Sequence, residues 1–232
     1  MKLRPRNFIA AMLLAVAFVL PSVAQRANDP SRWAEVISSF DKSANLAPQN
    51  AILLTGSSSF ARWLTMEEDL EPLTVIPRGF GGSTMADVLH YVDRVVISYK
   101  PRAVVIYEGD NDTFHGVAPE TIVEQLKEIV SKIHGALPES RIYILSVKPS
   151  LSRTKVWDKA RETTELYKAL AATDRRLYFI DVATPLLNSD GSVMDDVFVD
   201  DGLHLNDKGN RIWAAAIKSV LMRYEAKYEV TN

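Results

Sequence analysis

The chain has 232 residues, a formal net charge of −2 and no cysteine, so it fits one domain with an ordinary core and no disulfide framework. A mildly acidic balance without a basic tract excludes nucleic acid as an expected partner. No apolar stretch after residue 24 is long enough to be expected to span a membrane.

Residues 1–24 have the make-up of an export signal. Lys2, Arg4 and Arg6 precede an uninterrupted apolar run from Phe8 to Leu20, and Ser22-Val23-Ala24 supplies small residues for cleavage. The expectation is a signal peptide at 1–24 and a secreted or periplasmic domain at 25–232, without a stable membrane span once the signal is removed. No cysteine follows the apolar run, which excludes a lipid-anchored lipoprotein. Export into an oxidising space without disulfides leaves stability to the core.

A first helix is predicted over Pro30–Ala44. Five apolar runs rich in β-branched residues then follow: Ala51–Thr55, Leu73–Ile76, Ala103–Tyr107, Ile142–Val147 and Leu177–Val182. Between or after them, Ser83–Tyr99, Pro119–Leu137, Val156–Ala172 and a last segment from Asn206 or Asp207 to about Tyr224 carry helical spacing. Strands that are apolar throughout, alternating with helices, predict a parallel sheet covered on both faces, a three-layer α/β/α sandwich. In such folds ligands bind beyond the carboxyl ends of the strands. Three polar, glycine-bearing loops fall on that edge, after the first, second and third strands.

The first loop is Gly56-Ser57-Ser58-Ser59. A serine between a strand and a helix start is exposed but needs a base to become a nucleophile; alternatively, the three serines cap the helix. The second, Gly79-Phe80-Gly81-Gly82-Ser83, has glycines that let a backbone N–H face a site, while Ser83 or Thr84 can cap the next helix. In the third, Gly109-Asp110-Asn111-Asp112, the neutral amide of Asn111 can donate to an oxyanion without the desolvation cost of a charge. Asp110 and Asp112 are expected to shape this loop through Asx turns, with His115 on its solvent side.

Near the C-terminus, Asp201-Gly202-Leu203-His204 sets a carboxylate one short turn from an imidazole. A histidine acting as general base needs its other ring nitrogen held by an acceptor, which fixes the tautomer and stabilises the imidazolium. Asp195, Asp196 and Asp200 nearby match no EF-hand spacing and are expected to be solvated or capping. His90, His115 and His134 have no comparable acid-and-glycine setting.

Taken together and in this order, the four segments resemble the SGNH (GDSL-like) hydrolase family over about residues 50–220. Gly56-Ser57-Ser58-Ser59 is similar to the family's first block, Gly82-Ser83-Thr84 to its second, Gly109-Asp110-Asn111-Asp112 to its third, and Asp201 with His204 to its fifth. Among subgroups, the chain is most similar to small single-domain acylhydrolases resembling platelet-activating-factor acetylhydrolase catalytic subunits. Ser57 stands where the family commonly has aspartate, and Pro77 where asparagine is common. The resemblance implies a flavodoxin-like fold with a central five-stranded parallel sheet. It also implies a catalytic set of Ser58, Asp201 and His204, and an oxyanion hole made by the N–H groups of Ser58 and Gly82 and the side chain of Asn111. No metal or organic cofactor is implied.

The expected activity is hydrolysis of carboxylic esters of small acyl groups, on a small molecule or on a glycan or lipid ester. Two other readings use the same scaffold: a non-catalytic domain binding an envelope glycan, and an acyltransferase passing the acyl group to a sugar hydroxyl. Phe60, Trp63, Phe80 and Phe114 lie near the site in sequence, and such residues more often pack a core than wall a pocket.

Overall fold

The computed structural model describes residues 29–229, so the segment 1–24 read as a signal peptide lies outside the described residues. A 3₁₀ turn at Pro30–Trp33 leads into α1 (Ala34–Ala44), followed by β1 (Ile52–Gly56), the short α2 (Ser58–Ala61) and α3 (Met66–Asp69), and β2 (Val75–Gly79). Then come α4 (Met85–Val95), β3 (Ala103–Tyr107), α5 (Asp110–Phe114), α6 (Pro119–Ala136), β4 (Arg141–Leu145), α7 (Trp157–Ala171), β5 (Leu177–Ile180) and α8 (Asp207–Glu225). The five strands form one parallel sheet in the order β2-β1-β3-β4-β5. Among the described residues no helix is long and apolar enough to cross a membrane.

The inner strands β1, β3 and β4 carry apolar residues on both sides because each side has its own helical layer. Leu53, Val104, Ile106 and Ile144 pack under Ile37 of α1, Val88 and Val92 of α4, Leu126 and Ile129 of α6 and Tyr167 of α7. Their neighbours in the strands, Ile52, Leu54, Val105, Tyr107 and Leu145, point the other way and meet Phe60, Met66 and the Trp213, Ile217, Leu221 stripe of α8. The period of two along the strands and the i, i+4 spacing on α8 are what divide the apolar residues between two cores.

Only β3 keeps its expected bounds: β1 is displaced by one residue, β4 runs Arg141–Leu145 rather than Ile142–Val147, and β2 and β5 differ for identifiable reasons. The second strand runs from Val75 to Gly79 and so takes in Pro77 and Arg78, beyond the apolar run. β2 lies at the edge of the sheet, where a proline without an N–H is tolerated, and the Arg78 guanidinium is held over the rings of Tyr99 and Phe40 at 4.6 and 5.1 Å. The fifth strand stops at Ile180 because Asp181 turns the chain: its Oδ1 accepts the backbone N–H groups of Ala183 and Thr184 at 2.9 and 3.0 Å. The predicted helix 83–99 ends early, at Val95, where Val96 leaves helical geometry before a 3₁₀ turn at Ile97–Tyr99.

β1 sits between β2 and β3, so the chain leaves its carboxyl end in one direction and returns on the other side. This reversal opens a crevice at the end of β1.

Candidate active site

The first strand ends at Gly56, whose φ of +148° belongs to glycine and whose hydrogen faces the Tyr107 carbonyl. A Cβ there would come within 2.1 Å of that oxygen. The close approach lets Ser57 donate its N–H to Tyr107 O at 3.2 Å, and the chain then turns directly into α2. Ser57 and Ser59 are buried, whereas Ser58 is half-buried and faces the crevice. Of the three consecutive serines, it is Ser58 that meets a base: its Oγ lies 2.9 Å from His204 Nε2.

His204 comes from the loop before α8. Its Nδ1 is 2.6 Å from Asp201 Oδ2, while Asp201 Oδ1 accepts the backbone N–H groups of Leu203 and His204, each at 2.9 Å. Burial works to raise the Asp201 pKa, but the hydrogen bonds from the His204 ring and these two backbone groups, together with the charge of the ring, hold it well below the usual carboxylate range. Arg62 adds an outer ion pair to Asp201 Oδ2 at 3.4 Å. The loop is closed by the bridge between Phe198 and Leu205 and by Asn206, which caps α8 through the Gly209 N–H and donates back to Asp196 O and Phe198 O. A serine, a histidine and an aspartate separated by 146 and 3 positions are thus joined in one hydrogen-bonded line.

On the other side of Ser58 lies the glycine loop. Gly82 has a φ of +78°, and a Cβ built on its neighbour Gly81 would sit 3.9 Å from Ser58 Cβ. Thr84, rather than Ser83, caps α4, in a capping box with Asp87. The Ser83 hydroxyl instead donates to the buried carboxyl of Glu108 at 2.5 Å. Asn111 is 6% exposed and donates from Nδ2 to Ser83 O at 2.8 Å, which places its amide beside the glycine loop. Among the described residues, no backbone acceptor takes the N–H of Ser58 or of Gly82.

Beneath Asn111 is a charged layer that the sequence did not disclose. Asp110 was expected to make an Asx turn, but it is buried between two cations: Arg153 Nη1 at 2.7 Å and Lys148 Nζ at 3.2 Å. Burial alone would raise its pKa; Lys148 and Arg153 outweigh that and hold it below the ordinary value. Asp112 does shape the loop, accepting the Gly109 and Met85 N–H groups, and burial pushes its pKa up to about 6. The Glu108 pKa is likewise held well above its ordinary value, by burial first and by the Asp112 charge second. Lys148 and Arg153 lie after the fourth strand, on the same carboxyl edge as the three loops read above. The strand-edge rule extended to that fourth loop would have found them.

The aromatic residues separate cleanly. Phe60, Trp63 and Phe80 are core, and Phe114 is exposed beside the site, its ring under the Arg153 guanidinium at 4.5 Å. Trp33, from the N-terminal turn, packs edge-on against Phe80 and stands 3.7 Å from where a Gly82 Cβ would be. His115 is exposed, as are Asp195, Asp196 and Asp200. Two shallow grooves of about 490 Å³ each border the site, one lined by Arg62, His204, Asn206 and Lys208, the other by Arg32, Trp33, Val36 and Gly81. Among the described residues, no group of three or more His, Asp or Glu side chains is arranged to hold a metal ion.

Comparison with known proteins bears on the family and the fold. Residues 52–212 match the model of the GDSL-like lipase/acylhydrolase family. The human platelet-activating factor acetylhydrolase IB subunit alpha1 is 28% identical over 163 residues, covering 69% of this chain and 69% of that protein. A Streptococcus pneumonia protein provisionally described as a platelet activating factor superposes with a TM-score of 0.75 at 20% identity, over 82% of this chain and 93% of the other. An acetylxylan esterase from Geobacillus stearothermophilus superposes with a TM-score of 0.62 at 15% identity, over 76% and 94%. At these identities the two structures speak to the fold. The family match spans all of the segments that build the crevice except the N-terminal turn with Trp33, and on it the chain belongs to the GDSL-like lipase/acylhydrolase family and is an ester hydrolase.

Proposed function

We propose that the protein is an exported serine esterase that removes short acyl groups through an acyl-enzyme on Ser58. The observation that carries the reading is the line Asp201–His204–Ser58, with contacts of 2.6 and 2.9 Å. His204 Nε2 takes the Ser58 proton as Oγ attacks the ester carbonyl, and the resulting imidazolium is stabilised by Asp201. The oxyanion is received by the N–H groups of Ser58 and Gly82 and by the Asn111 amide. His204 then gives its proton to the leaving alcohol, and a water repeats the sequence on the acyl-enzyme.

A short acyl group is supported by the names of the relatives, an acetylhydrolase and an acetylxylan esterase. The indole of Trp33 close to Gly82 also limits room beside the oxyanion loop. Export is supported by Lys2, Arg4 and Arg6 before the apolar run 8–20 and the small residues 22–24. Cell fractionation with N-terminal sequencing of the mature protein tests it, and an uncleaved chain in the cytoplasm would refute it.

Labelling with a fluorophosphonate probe and peptide mapping tests the catalytic assignment. The expected adduct is on Ser58 and disappears in His204→Ala. Ser58→Ala should fold and lose at least about a thousandfold in kcat on p-nitrophenyl acetate. Unchanged turnover in Ser58→Ala would remove the nucleophile from this reading.

A further inference from the structure

The loop after the fourth strand reaches both halves of the site, although no residue of it belongs to the Ser58–His204–Asp201 line. Arg153 spreads its guanidinium between two side chains of the third loop. Nη1 donates to Asp110 Oδ1 at 2.7 Å and Nη2 to Asn111 Oδ1 at 2.9 Å. One residue earlier, the Ser152 N–H donates to Gly202 O at 3.1 Å. Lys148, at the start of the same loop, bonds Asp110 Oδ2 at 3.2 Å and Leu203 O at 2.8 Å. A continuous polar path therefore runs from Asn111 through Arg153, Asp110 and Lys148 to the carbonyl of the residue preceding His204.

The contacts of Asn111 leave one orientation for its amide. Arg153 is a donor only, so it must face the amide oxygen; Ser83 O is an acceptor only, so it must face the amide nitrogen. With both ends held, the amide plane cannot turn about Cβ–Cγ, and one N–H of Nδ2 remains for an outside acceptor. A cation on the amide oxygen also draws electron density from the nitrogen, which makes the remaining N–H a stronger donor. Arg153 itself is pinned by Asp110 on one edge and by the Phe114 ring on its face, with 11% of its side chain exposed.

We propose that Arg153 is a positioning residue for ester hydrolysis, orienting and polarising the Asn111 amide so that its free N–H meets the oxyanion. This rests on the reading of Asn111 as an oxyanion donor. The alternative role for Arg153 is to neutralise buried Asp110 and nothing more. The two roles differ in whether the effect of Arg153 depends on Asn111.

The decisive experiment is a double-mutant cycle with p-nitrophenyl acetate, comparing Arg153→Met, Asn111→Ala and the pair. Asn111→Ala is expected to lower kcat about a hundredfold. Arg153→Met is expected to lower kcat about tenfold or more with KM changed less than about twofold, because misplacing a catalytic group by an ångström has costs of that order. In the Asn111→Ala background the same Arg153→Met change should cost less than about twofold. Arg153→Lys serves where Arg153→Met does not fold. Its ammonium keeps a charge beside Asp110 but lacks the fork that reaches Asn111 at the same time, so the kcat loss should persist.

Equal losses from the arginine change in both backgrounds, or full kcat in Arg153→Lys, would overturn the inference and leave Arg153 as a counter-ion for Asp110. Full kcat in Asn111→Ala alone would instead overturn the oxyanion assignment, and the inference with it. The two failures are read from different variants.

Discussion

Asp201 divides its carboxylate between the two ends of His204: Oδ2 meets the ring at Nδ1, and Oδ1 receives the backbone N–H of the same residue. One side chain thus sets both the position of the imidazole and its tautomer. With a carboxylate at Nδ1, that nitrogen must carry the proton, which leaves Nε2 as the acceptor facing Ser58 Oγ. An asparagine keeps the shape but reverses the logic. Its oxygen goes to the backbone N–H groups and its NH₂ faces the ring, so Nδ1 becomes the acceptor and Nε2–H points at a hydroxyl it cannot deprotonate. Asp201→Asn should therefore fold normally and lose on the order of ten-thousandfold in kcat at neutral pH. Kinetics with p-nitrophenyl acetate, alongside a thermal melt, checks it; a loss under about tenfold would mean that the tautomer is fixed by something else.

Buried Glu108 gives stability a pH dependence of defined sign. Burial, then the Asp112 charge, raise its pKa well above 4.5, so the folded protein holds this proton more tightly than the unfolded chain. Stability from this group is complete below about pH 4.5 and declines as pH rises toward the folded pKa. Asp112, raised to about 6, acts in the same direction over a window from about pH 4 to 6. Glu108→Gln stays neutral at every pH and keeps an oxygen for the Ser83 hydroxyl, while its amide replaces an oxygen, Oε2, that has no partner. Denaturant unfolding of both proteins between about pH 4.5 and 7.5 should show Glu108→Gln gaining on the wild type as pH rises. A difference that stays flat would show that Glu108 is ionised in the fold or that water reaches it.

Two glycines in the site loops predict opposite outcomes for the same substitution. At Gly56 an added methyl would overlap the Tyr107 carbonyl, backbone against backbone in the middle of the sheet, so Gly56→Ala should not yield folded protein. At Gly82 the nearest atoms to a Cβ belong to the Trp33 ring at 3.7 and 3.9 Å, which is ordinary contact. The cost there is the φ of +78°, about 1–2 kcal/mol for an alanine. Gly82→Ala should fold with a modestly lowered Tm, and any turn of its N–H away from the crevice should appear in kcat rather than KM. Expression, melting temperature and the kcat–KM split together check the pair.

The opposite edge of the sheet carries stability without chemistry. Glu225, at the end of α8 and fully buried, accepts from Arg102 at 3.1 Å, from Arg141 at 2.5 and 2.8 Å and from Tyr143 at 2.6 Å. Removing one partner of a buried ion pair leaves the others uncompensated, at a cost of about 3–5 kcal/mol. Glu225→Ala should lose stability on that scale while the folded fraction retains wild-type kcat and KM. A selective fall in kcat would tie this cluster to the catalytic edge.

The four catalytic-edge segments were legible because three follow a strand end and the fourth precedes a helix, each with residue types that have few other uses together. Asn111, Asp201 and His204 could be read from such local patterns, whereas Ser58 was singled out from Ser57 and Ser59 by the resemblance. Gly82 was taken from the resemblance, and the glycine loop borders Ser58. The strand at 103–107 matches its apolar run because charged Arg102 and Glu108 bound that run on both sides. β2 was shifted because an edge strand can continue through Pro77 and Arg78, where periodicity carries no signal. Arg153 and Lys148 were missed because lysine and arginine in a loop are ordinarily solvated. Only the burial of Asp110 in three dimensions makes them necessary.

The order of residues by itself determined the alternation of strands and helices, hence a parallel sheet with polar loops at one edge, and the presence of a serine, an amide, an acid and a histidine among those loops. Which serine of three faces the base was decided by the tertiary structure. Gly56 lets β1 and β3 approach, α2 starts at once, and Ser57 and Ser59 are turned inward. The 2.9 Å contact across 146 positions depends in the same way on α8 packing its Trp213, Ile217 and Leu221 stripe under the sheet, because that packing carries His204 to Ser58. Short-range patterns record which groups can do chemistry; only long-range burial decides which of them meet.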